Sequence, residues 1–283
     1  MSQKTVMTYR NEPLISASKS AIKLVVADLD GTLLDEDHRL TEVTKQAVTE
    51  IAARGVKVIL ATGRHYQDVY LLAEQLGVEV SLITSNGARV HNHQGDCLYK
   101  NYMPINLIER VLLISQGFAV HRNIYQEDVW FVEEAHEALL AIHEASGFRY
   151  EFSDFGKMKL DKIDKIYFTA EHELLLELEN TLKAELGQQL NITFTSPKYL
   201  EVMNFGVNKG QALQRLMNIH NINKSEVMAF GDGMNDVEML QMVKYGFVMD
   251  NASKTVKQTL SRLPVVAANS QNGVAKVILK LLL

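Results

Sequence analysis

The sequence predicts an α/β protein whose core is a doubly wound, parallel, Rossmann-like sheet, with a second, α+β domain inserted into it. Short apolar runs alternate with helix-like segments in the first third of the chain and again in the last third. The middle third instead combines helices with strands of alternating polarity. Strands of the outer thirds are followed by polar or glycine-rich residues, where open parallel sheets place their ligands.

Composition limits the classes of protein to which the chain can belong. Of its 283 residues, 47% are hydrophobic and 22% are charged, which is typical of globular proteins with one large or two smaller domains. The net charge of −5 disfavours a broad nucleic-acid or acidic-membrane surface, so we expect neither as a partner. Cys97 is the only cysteine, which excludes an intrachain disulfide and suits a reducing compartment.

The start of the chain lacks the features of a targeting segment. Residues 1–20 are polar and mixed in charge, so we predict a poorly ordered N-terminal tail ahead of the first strand. No apolar run reaches the roughly 20 residues that are needed to span a bilayer. We therefore expect a cytoplasmic protein.

The first part of the core, residues 21–88, contains three strands with helices between them. Residues 22–27 include the unbroken apolar run that is typical of a buried parallel strand. Thr41 is a suitable N-cap for the helix that follows. Strands are predicted over 56–60 and 81–84, and strand–helix–strand order predicts right-handed crossovers within a parallel sheet.

Residues 89–203 are predicted to form the inserted α+β domain. It begins with a β-hairpin and continues with helices over 105–116, 133–145 and 171–186. Residues 163–168 alternate in polarity, which predicts a half-buried strand with Lys165 on its solvent face. The βα pattern returns in residues 204–283, which are predicted to complete the core.

Two carboxylates follow the first strand directly, in the segment Asp-Leu-Asp-Gly-Thr, residues 28–32. Asp28 and Asp30 would repel each other if both were buried, so we expect a hard cation and oxygen-rich contacts near them. A lone Asp-x-Asp pair is common in surface loops. The buried strand before it and the Gly-Thr pair after it favour a functional site.

Three further segments place polar groups at strand ends or helix starts. Thr62 and Gly63 offer a hydroxyl and backbone amides that could hold phosphate oxygens, although a plain helix N-cap explains them equally well. Lys209 is either a cation that neutralises phosphate or a solvated surface charge. Residues 231–236, Gly-Asp-Gly-Met-Asn-Asp, carry two acids and an amide after a buried strand, which favours a site over an acidic turn.

The order Asp28, Thr62, Lys209, Asp232, with an inserted domain between the second and third, resembles the haloacid dehalogenase-like superfamily. The likeness is greatest to its Cof-type phosphatases, which carry a large α+β cap at this place. It covers the chain from about residue 22 onwards, and its two acidic motifs are specific. The resemblance implies that residues 21–88 and 204–283 form the phosphatase core and that residues 89–203 form the cap.

The resemblance also implies a role for each motif residue. Asp28 would be the nucleophile that forms an aspartyl-phosphate, and Asp30 the general acid and base. The implied phosphate ligands are the Leu29 amide, Thr62, the Gly63 amide, Lys209 and Asn235. The implied Mg²⁺ ligands are the Asp28 carboxylate, the Asp30 backbone carbonyl and Asp232. Asp236 would support them by hydrogen bonding to these ligands or to metal-bound waters.

The function implied by this resemblance is Mg²⁺-dependent hydrolysis of small phosphorylated metabolites, such as sugar phosphates, nucleotides or phosphorylated cofactors. A phosphomutase or phosphotransferase would use the same intermediate and remains an alternative. A non-catalytic regulator that binds a phospho-ligand is a second alternative, although it would not need an acid/base carboxylate such as Asp30. The cap is expected to select the substrate, and the sequence leaves the substrate and the oligomeric state open.

Overall fold

The structure is a computed structural model that describes residues 22–144 and 146–282. The predicted N-terminal tail, residues 1–20, lies outside the described residues. The strands, in chain order, are β1 (Leu24–Ala27), β2 (Lys57–Ala61), β3 (Val80–Thr84), β4 (Arg89–His91), β5 (Cys97–Lys100), β6 (His121–Gln126), β7 (Val129–Val132), β8 (Tyr150–Phe152), β9 (Ile163–Thr169), β10 (Leu190–Ser196), β11 (Tyr199–Asn204), β12 (Val227–Gly231), β13 (Tyr245–Met249) and β14 (Val265–Val266). The helices are α1 (Glu42–Ala53), α2 (Tyr66–Glu74), α3 (Ile105–Ser115), α4 (Glu137–Ile142), α5 (His172–Leu186), α6 (Lys209–Ile219), α7 (Val237–Met242), α8 (Lys254–Thr259) and α9 (Gly273–Leu281).

The larger sheet has the strand order β14-β13-β12-β1-β2-β3-β4-β5. Its six strands from β14 to β3 are parallel, and β4 and β5 add an antiparallel edge. From β1 the chain builds outwards to one side through β2 and β3, and it later builds to the other side from β12. The strand order therefore reverses beside β1, and this reversal creates the crevice in which doubly wound sheets bind ligands.

Helices cover both faces of this core sheet, which explains the unbroken apolar runs of its strands. Val25 of β1 packs in a cluster with residues of α1, α2 and α9. Its neighbour Val26 points to the opposite face and packs with residues of α6, α7 and α8. A strand that is buried on both faces needs apolar residues at successive positions, as the sequence analysis predicted. The predicted fold class is confirmed.

The smaller sheet belongs to the inserted cap and has the strand order β10-β11-β9-β6-β7-β8. Its pairs are antiparallel except for β7 with β8. Helices α3 and α5 pack on one face, against Ile166 and Val202 among others. The opposite face carries a cluster of aromatic side chains that includes Tyr125, Trp130 and Tyr167. This aromatic face is the one that meets the core.

The structure corrects three details of the sequence analysis. The prediction placed β4 and β5 in the insert, but β4 pairs with β3 and β5 pairs with β4 in the core sheet, so the cap's own elements begin with α3. The helix predicted over 133–145 is limited to α4. Strand β9 is buried along its whole length, and Lys165 is only 2% exposed instead of facing solvent. The prediction failed for Lys165 because one face of the cap sheet is covered by the core domain.

The described residues contain no helix with both the length and the apolar character that a membrane crossing requires.

Candidate active site

Four of the predicted site residues lie side by side at the carboxyl edge of the core sheet. Asp28 follows β1, Thr62 and Gly63 follow β2, and Asp232 follows β12. Strand β1 lies between β2 and β12, so the three loops are neighbours at the point where the strand order reverses. All four residues line one cavity of about 310 Å³, together with Asp30 and Asn235. That volume is sufficient for a small metabolite.

Lys209 connects the loop after β1 to the loop after β12. It is fully buried at the start of α6, and its Nζ donates hydrogen bonds to Asp28 Oδ1 at 2.6 Å and to Asp236 Oδ1 at 2.7 Å. Burial alone would lower the pKa of Lys209, but Asp236 and Asp28 outweigh burial and raise it. Lys209 is therefore a permanent cation beside Asp28, and the surface-charge alternative is wrong.

Asp28, Asp232 and Asp236 form an acidic cluster in which one carboxylate oxygen from each lies within 4.8 Å of the others. Burial raises the pKa of Asp28, as do the Asp236 and Asp232 charges, whereas Lys209 opposes the rise. Burial and the Asp236 charge also raise the pKa of Asp232 to about 6. Converging carboxylate oxygens that repel one another fit a hard divalent cation such as Mg²⁺, which would remove that repulsion.

The members of the acidic cluster differ in how their oxygens are used. Asp236 is completely buried, its Oδ1 accepts from Lys209, and its Oδ2 accepts from the backbone amides of Asp232 and Gly233 at 3.0 and 2.9 Å. Among the residues that the structure describes, the Asp232 side chain accepts only from the Thr32 hydroxyl, at 2.8 Å. Both carboxylate oxygens of Asp236 are thus occupied by hydrogen bonds, whereas Asp232 keeps oxygen lone pairs free.

Gly31 explains how the first and last motifs come so close. Its φ is +76°, and a Cβ atom at this position would collide with the Asp232 carboxylate. Glycine meets both the left-handed backbone and the close approach.

Asp30 lines the cavity, and two partners bind its carboxylate. Arg64 Nε and Nη2 bond to Asp30 Oδ2 and Oδ1 at 2.7 and 2.6 Å, and His38 Nδ1 lies 2.8 Å from Oδ1. Burial would raise the pKa of Asp30, but the hydrogen bonds from His38 and Arg64 outweigh burial and hold that pKa below its usual value. In this arrangement Asp30 is ionised.

Arg64 also connects Asp30 to the cap. Its Nη1 bonds to Asp68 Oδ2 at 3.2 Å. Asp68 is 1% exposed, and two cap residues reach it: Ser146 Oγ donates to Oδ1 at 2.5 Å, and His143 Nδ1 lies 3.0 Å from Oδ2. The cap therefore touches a chain of charged groups that ends at Asp30.

The remaining predicted residues are placed as follows. Thr62 is 1% exposed, and its hydroxyl accepts from the Arg64 amide at 3.1 Å. Asn235 Nδ2 donates to Asn86 Oδ1 at 2.9 Å. Leu29 differs from the rest, because its side chain packs in the hydrophobic core and only its backbone belongs to the loop after β1.

The cap contributes residues to the cavity that the sequence analysis did not assign to a site. These include Tyr125, Lys165, Tyr167, Tyr199 and Glu201. Lys165 and Glu201 form an ion pair of 2.9 Å with side chains 2% and 6% exposed, and burial lowers the pKa of Lys165. Glu201 left a local signal, because it is the one charged residue of β11. Lys165 left none, because Asp164 lies next to it in a strand of alternating polarity. Tyr125 both packs in the aromatic cluster of the cap and lines the cavity.

Comparisons with known proteins agree with this architecture. A family model described as haloacid dehalogenase-like hydrolase matches residues 25–278. An HMP-PP phosphatase of Yersinia pestis (strain Pestoides F) is 36% identical over 253 residues, which is 89% of this chain and 93% of that protein. An HMP-PP phosphatase of Cronobacter sakazakii (strain ATCC BAA-894) is 37% identical over the same length, with the same coverage.

Solved structures have the same fold. A haloacid dehalogenase-like hydrolase from B. subtilis superposes with a TM-score of 0.82 at 23% sequence identity, covering 92% of this chain and 100% of that one. A second, from Bacteroides thetaiotaomicron, gives a TM-score of 0.79 at 23% identity, covering 92% and 99%. At this level of identity the likeness concerns the fold.

Proposed function

Because the chain belongs to the haloacid dehalogenase-like hydrolase family, we propose that it is a Mg²⁺-dependent phosphatase that hydrolyses a small phosphorylated metabolite through an aspartyl-phosphate. The observation that carries this proposal is the setting of Asp28. Its carboxylate is bonded to a buried lysine, adjoins two further carboxylates and opens into a cavity that the cap closes. A carboxylate suited to nucleophilic attack, a charge-neutralising cation and two carboxylates suited to a metal thus lie together, which supports the proposal.

In the first step Asp28 attacks phosphorus while the bond from phosphorus to the leaving oxygen breaks. Attack requires the ionised carboxylate, and the 2.6 Å bond from Lys209 favours that form against the effect of burial. Asp30, two residues further on, donates a proton to the leaving oxygen. For this step Asp30 takes up a proton from solvent on Oδ1 and gives up the Arg64 Nη2 bond there, while Oδ2 still accepts from Arg64 Nε.

The transferring phosphoryl group carries negative charge on its non-bridging oxygens. The Thr62 hydroxyl, the Gly63 and Leu29 amides, the Asn235 amide group and Lys209 are the donors proposed to hold these oxygens. Such donors act in a water-poor site and are fixed before the reaction begins, so little reorganisation is needed. Loss of one donor of this kind typically lowers the rate by about 10²–10³-fold.

In the second step water hydrolyses the aspartyl-phosphate. Asp30, having given up its proton, is again a carboxylate and takes a proton from the attacking water. The water's oxygen bonds to phosphorus, the bond to Asp28 breaks, and inorganic phosphate leaves. Asp30 then releases that proton to solvent, and Arg64 and His38 stabilise its ionised form between turnovers.

The proposed Mg²⁺ ligands are the carboxylates of Asp28 and Asp232 and the backbone carbonyl of Asp30, with Asp236 holding the loop of Asp232. Bound Mg²⁺ would offset the charge of the phosphate and of the two carboxylates. The free lone pairs of Asp232 and the saturated oxygens of Asp236 support this division of roles.

The leaving group is proposed to lie against the cap side of the cavity. Tyr125, Tyr167 and Tyr199 supply aromatic surface there, and Glu201 supplies a charge. Aromatic surface with few polar groups suits a small, partly flat organic group. Since relatives that cover most of the chain are named HMP-PP phosphatases, HMP-PP is the first substrate to test.

The decisive experiment is a phosphate-release assay on the purified protein with Mg²⁺, over HMP-PP and a panel of sugar phosphates, nucleotides and phosphorylated cofactors. We expect release from at least one compound and its loss with EDTA. A product analysis accompanies the assay, since transfer of phosphate to a second organic hydroxyl would indicate a phosphotransferase. No turnover of any kind across the panel would contradict the proposal.

A further inference from the structure

Residues 85–87, between the core strand β3 and the antiparallel edge, adopt an unusual backbone. Ser85, Asn86 and Gly87 have φ angles of +47°, +53° and +101°, and all three are buried. Non-glycine residues in the left-handed region cost about 1 kcal/mol or more each, so surrounding contacts must hold them there. We call residues 85–87 the β3 turn.

The β3 turn packs against two of the segments that carry proposed phosphate ligands. The Ser85 and Asn86 amides donate to the carbonyls of Arg64 and Thr62, each at 3.0 Å. A Cβ atom on Gly87 would lie 2.5 Å from the carbonyl oxygen of Asn208, the residue before Lys209. The turn is therefore packed between the loop after β2 and the start of α6.

The side chain of Asn86 extends this contact to the third loop and to the cap. It is 1% exposed, and its Oδ1 accepts a hydrogen bond from Asn235 Nδ2 at 2.9 Å. Its Nδ2 donates to Glu201 Oε2 of the cap strand β11. The same amide lies over Gly63, where a Cβ atom would be 3.1 Å from Asn86 Oδ1.

The Glu201 carboxylate decides which way the Asn86 amide points. A carboxylate only accepts hydrogen bonds, so Asn86 must present Nδ2 to Glu201 and Oδ1 to Asn235. Asn235 in turn must present its own Nδ2 to Asn86, and this leaves the second hydrogen of that nitrogen available as a donor. The donor orientation of a proposed phosphate ligand thus follows from a cap carboxylate two side chains away.

Lys165 forms a second contact between the cap and the same region of the core. Its Nζ donates to Glu201 Oε1 at 2.9 Å and to the Gly63 carbonyl at 2.6 Å. Lys165 and Glu201 lie on the paired strands β9 and β11, so the two charges reach the core together. When the cap sheet meets the core, it therefore contacts both Asn86 and the carbonyl of Gly63, the residue whose amide is a proposed phosphate donor.

We propose that Asn86 is a positioning residue that transmits docking of the cap, through Glu201, to the phosphate-binding orientation of Asn235. This inference rests on the proposed phosphatase function. Its rival is that Glu201 and Lys165 contact only the leaving group, since both line the same cavity. Inorganic phosphate separates the two ideas, because it has no leaving group and would bind only to the core donors.

The test measures the inhibition constant of inorganic phosphate, with Mg²⁺ present, for the Asn86→Ala and Glu201→Gln variants and for the double variant. We expect inhibition to weaken about 10-fold for Asn86→Ala, the loss typical of one or two hydrogen bonds. A glutamine at 201 offers both a donor and an acceptor, so Glu201→Gln is also expected to weaken inhibition. The double variant should be no weaker than Asn86→Ala alone, because both changes interrupt the same chain of contacts.

Tyr199→Phe is the matched control, since it alters the cap side of the cavity without removing a contact to Asn86. It should change KM for the organic substrate and leave the phosphate inhibition constant unchanged. An unchanged phosphate constant in Glu201→Gln, or additive effects in the double variant, would overturn the proposal. If Asn86→Ala does not fold, Asn86→Asp replaces it, because aspartate keeps the shape but cannot donate to Glu201.

Failure of this inference differs from failure of the proposed function. An unmodified protein that turns over no phosphate compound would refute the phosphatase. An active protein whose inhibition constant for phosphate is unchanged by Glu201→Gln would refute only the role of Asn86.

Discussion

The Nζ atom of Lys209 lies 2.6 Å from Oδ1 of Asp28, with the lysine side chain fully buried and that of Asp28 10% exposed. The same nitrogen bonds to the buried Asp236. One cation therefore offsets two carboxylates that have little access to water. This arrangement makes the site and the stability of the core depend on the same side chain.

Lys209→Met should destabilise the protein and abolish most of its activity. Removal of one partner from a buried ion pair leaves an uncompensated charge, which typically costs 3–5 kcal/mol. Chemical denaturation measures the free energy of unfolding. Lys45→Met is the control, because Lys45 pairs with the exposed Glu42 and such pairs contribute about 1 kcal/mol or less. Equal losses for the two variants would contradict the buried role of Lys209.

Asp28→Asn should retain the fold and lose turnover by about 10⁴-fold or more, the usual result of removing a catalytic nucleophile. An amide cannot form the aspartyl-phosphate, whereas Asp30→Asn leaves the nucleophile in place. Rapid acid quenching after mixing with an activated aryl phosphate should therefore show phosphoenzyme in Asp30→Asn and none in Asp28→Asn. Phosphoenzyme in Asp28→Asn would exclude Asp28 as the nucleophile.

Arg64→Met tests whether the bidentate contact orients Asp30. Without Arg64, Asp30 keeps only His38 as a partner, and its approach to the leaving oxygen becomes less defined. We expect rates to fall about 10-fold or more for alkyl phosphates, which need a proton on the leaving oxygen. Aryl phosphates with acidic leaving groups should be affected less.

Asp68→Asn is a companion variant for Arg64→Met, because Asp68 holds Arg64 from the other side. It should produce a smaller effect with the same dependence on the leaving group. A uniform loss across leaving groups in both variants would indicate a general structural effect instead of a role through Asp30.

The core half of this site was predictable from sequence because it depends on local rules. A buried strand followed by polar residues identifies a strand end, and parallel strands bring their ends to one edge. Asp28, Thr62 and Asp232 were found in this way. Lys209 needed the family resemblance, since a lysine at a helix start is ambiguous by itself.

The cap half was not predictable because it depends on how two domains meet. Lys165 lies in an alternating strand, and nothing local says that its polar face is covered by another domain. Arg64 has no local signal either, because its bond to Asp30 joins residues 34 positions apart. The role of Asn86 is also not local, since the three loops that it joins come together only in the folded protein.

Added Mg²⁺ should stabilise the protein, because it would bind the acidic cluster of the folded state. At a concentration 100 times its dissociation constant, a ligand specific to the folded state adds about 2.7 kcal/mol. Thermal unfolding with Mg²⁺ and with EDTA measures the difference. Asp232→Asn should reduce the response to Mg²⁺, whereas Asp161→Asn, which changes an acid that contacts Lys159, should not. A full response in Asp232→Asn would exclude Asp232 as a ligand.

Asp164 makes the stability of the cap sensitive to pH. It is completely buried on β9, neither of its oxygens has a hydrogen-bond partner among the described residues, and Arg89 approaches it only to 3.6 Å. Burial raises its pKa to about 7, with Asp128 and Glu127 adding to the rise and Arg89 and Lys100 opposing it. In the unfolded chain its pKa returns to about 3.9.

The sign of the effect follows from proton binding. Between about pH 4 and pH 7 the folded state binds more protons at Asp164 than the unfolded state does, so stability falls as the pH rises through this range. Each pKa unit corresponds to about 1.4 kcal/mol, and the full penalty above pH 7 is therefore about 4 kcal/mol.

Asp164→Asn removes this penalty, because an amide stays neutral at every pH. Arg89 keeps Asp128, at 2.9 Å, and the Glu127 carbonyl as partners, so the substitution does not isolate it. The stability gained over the unmodified protein should increase from pH 5 to pH 7 and then level off, as measured by denaturation at each pH. Asp161→Asn, at a carboxylate near the surface, should show no such increase. A gain from Asp164→Asn that is constant across this range would mean that Asp164 does not titrate there.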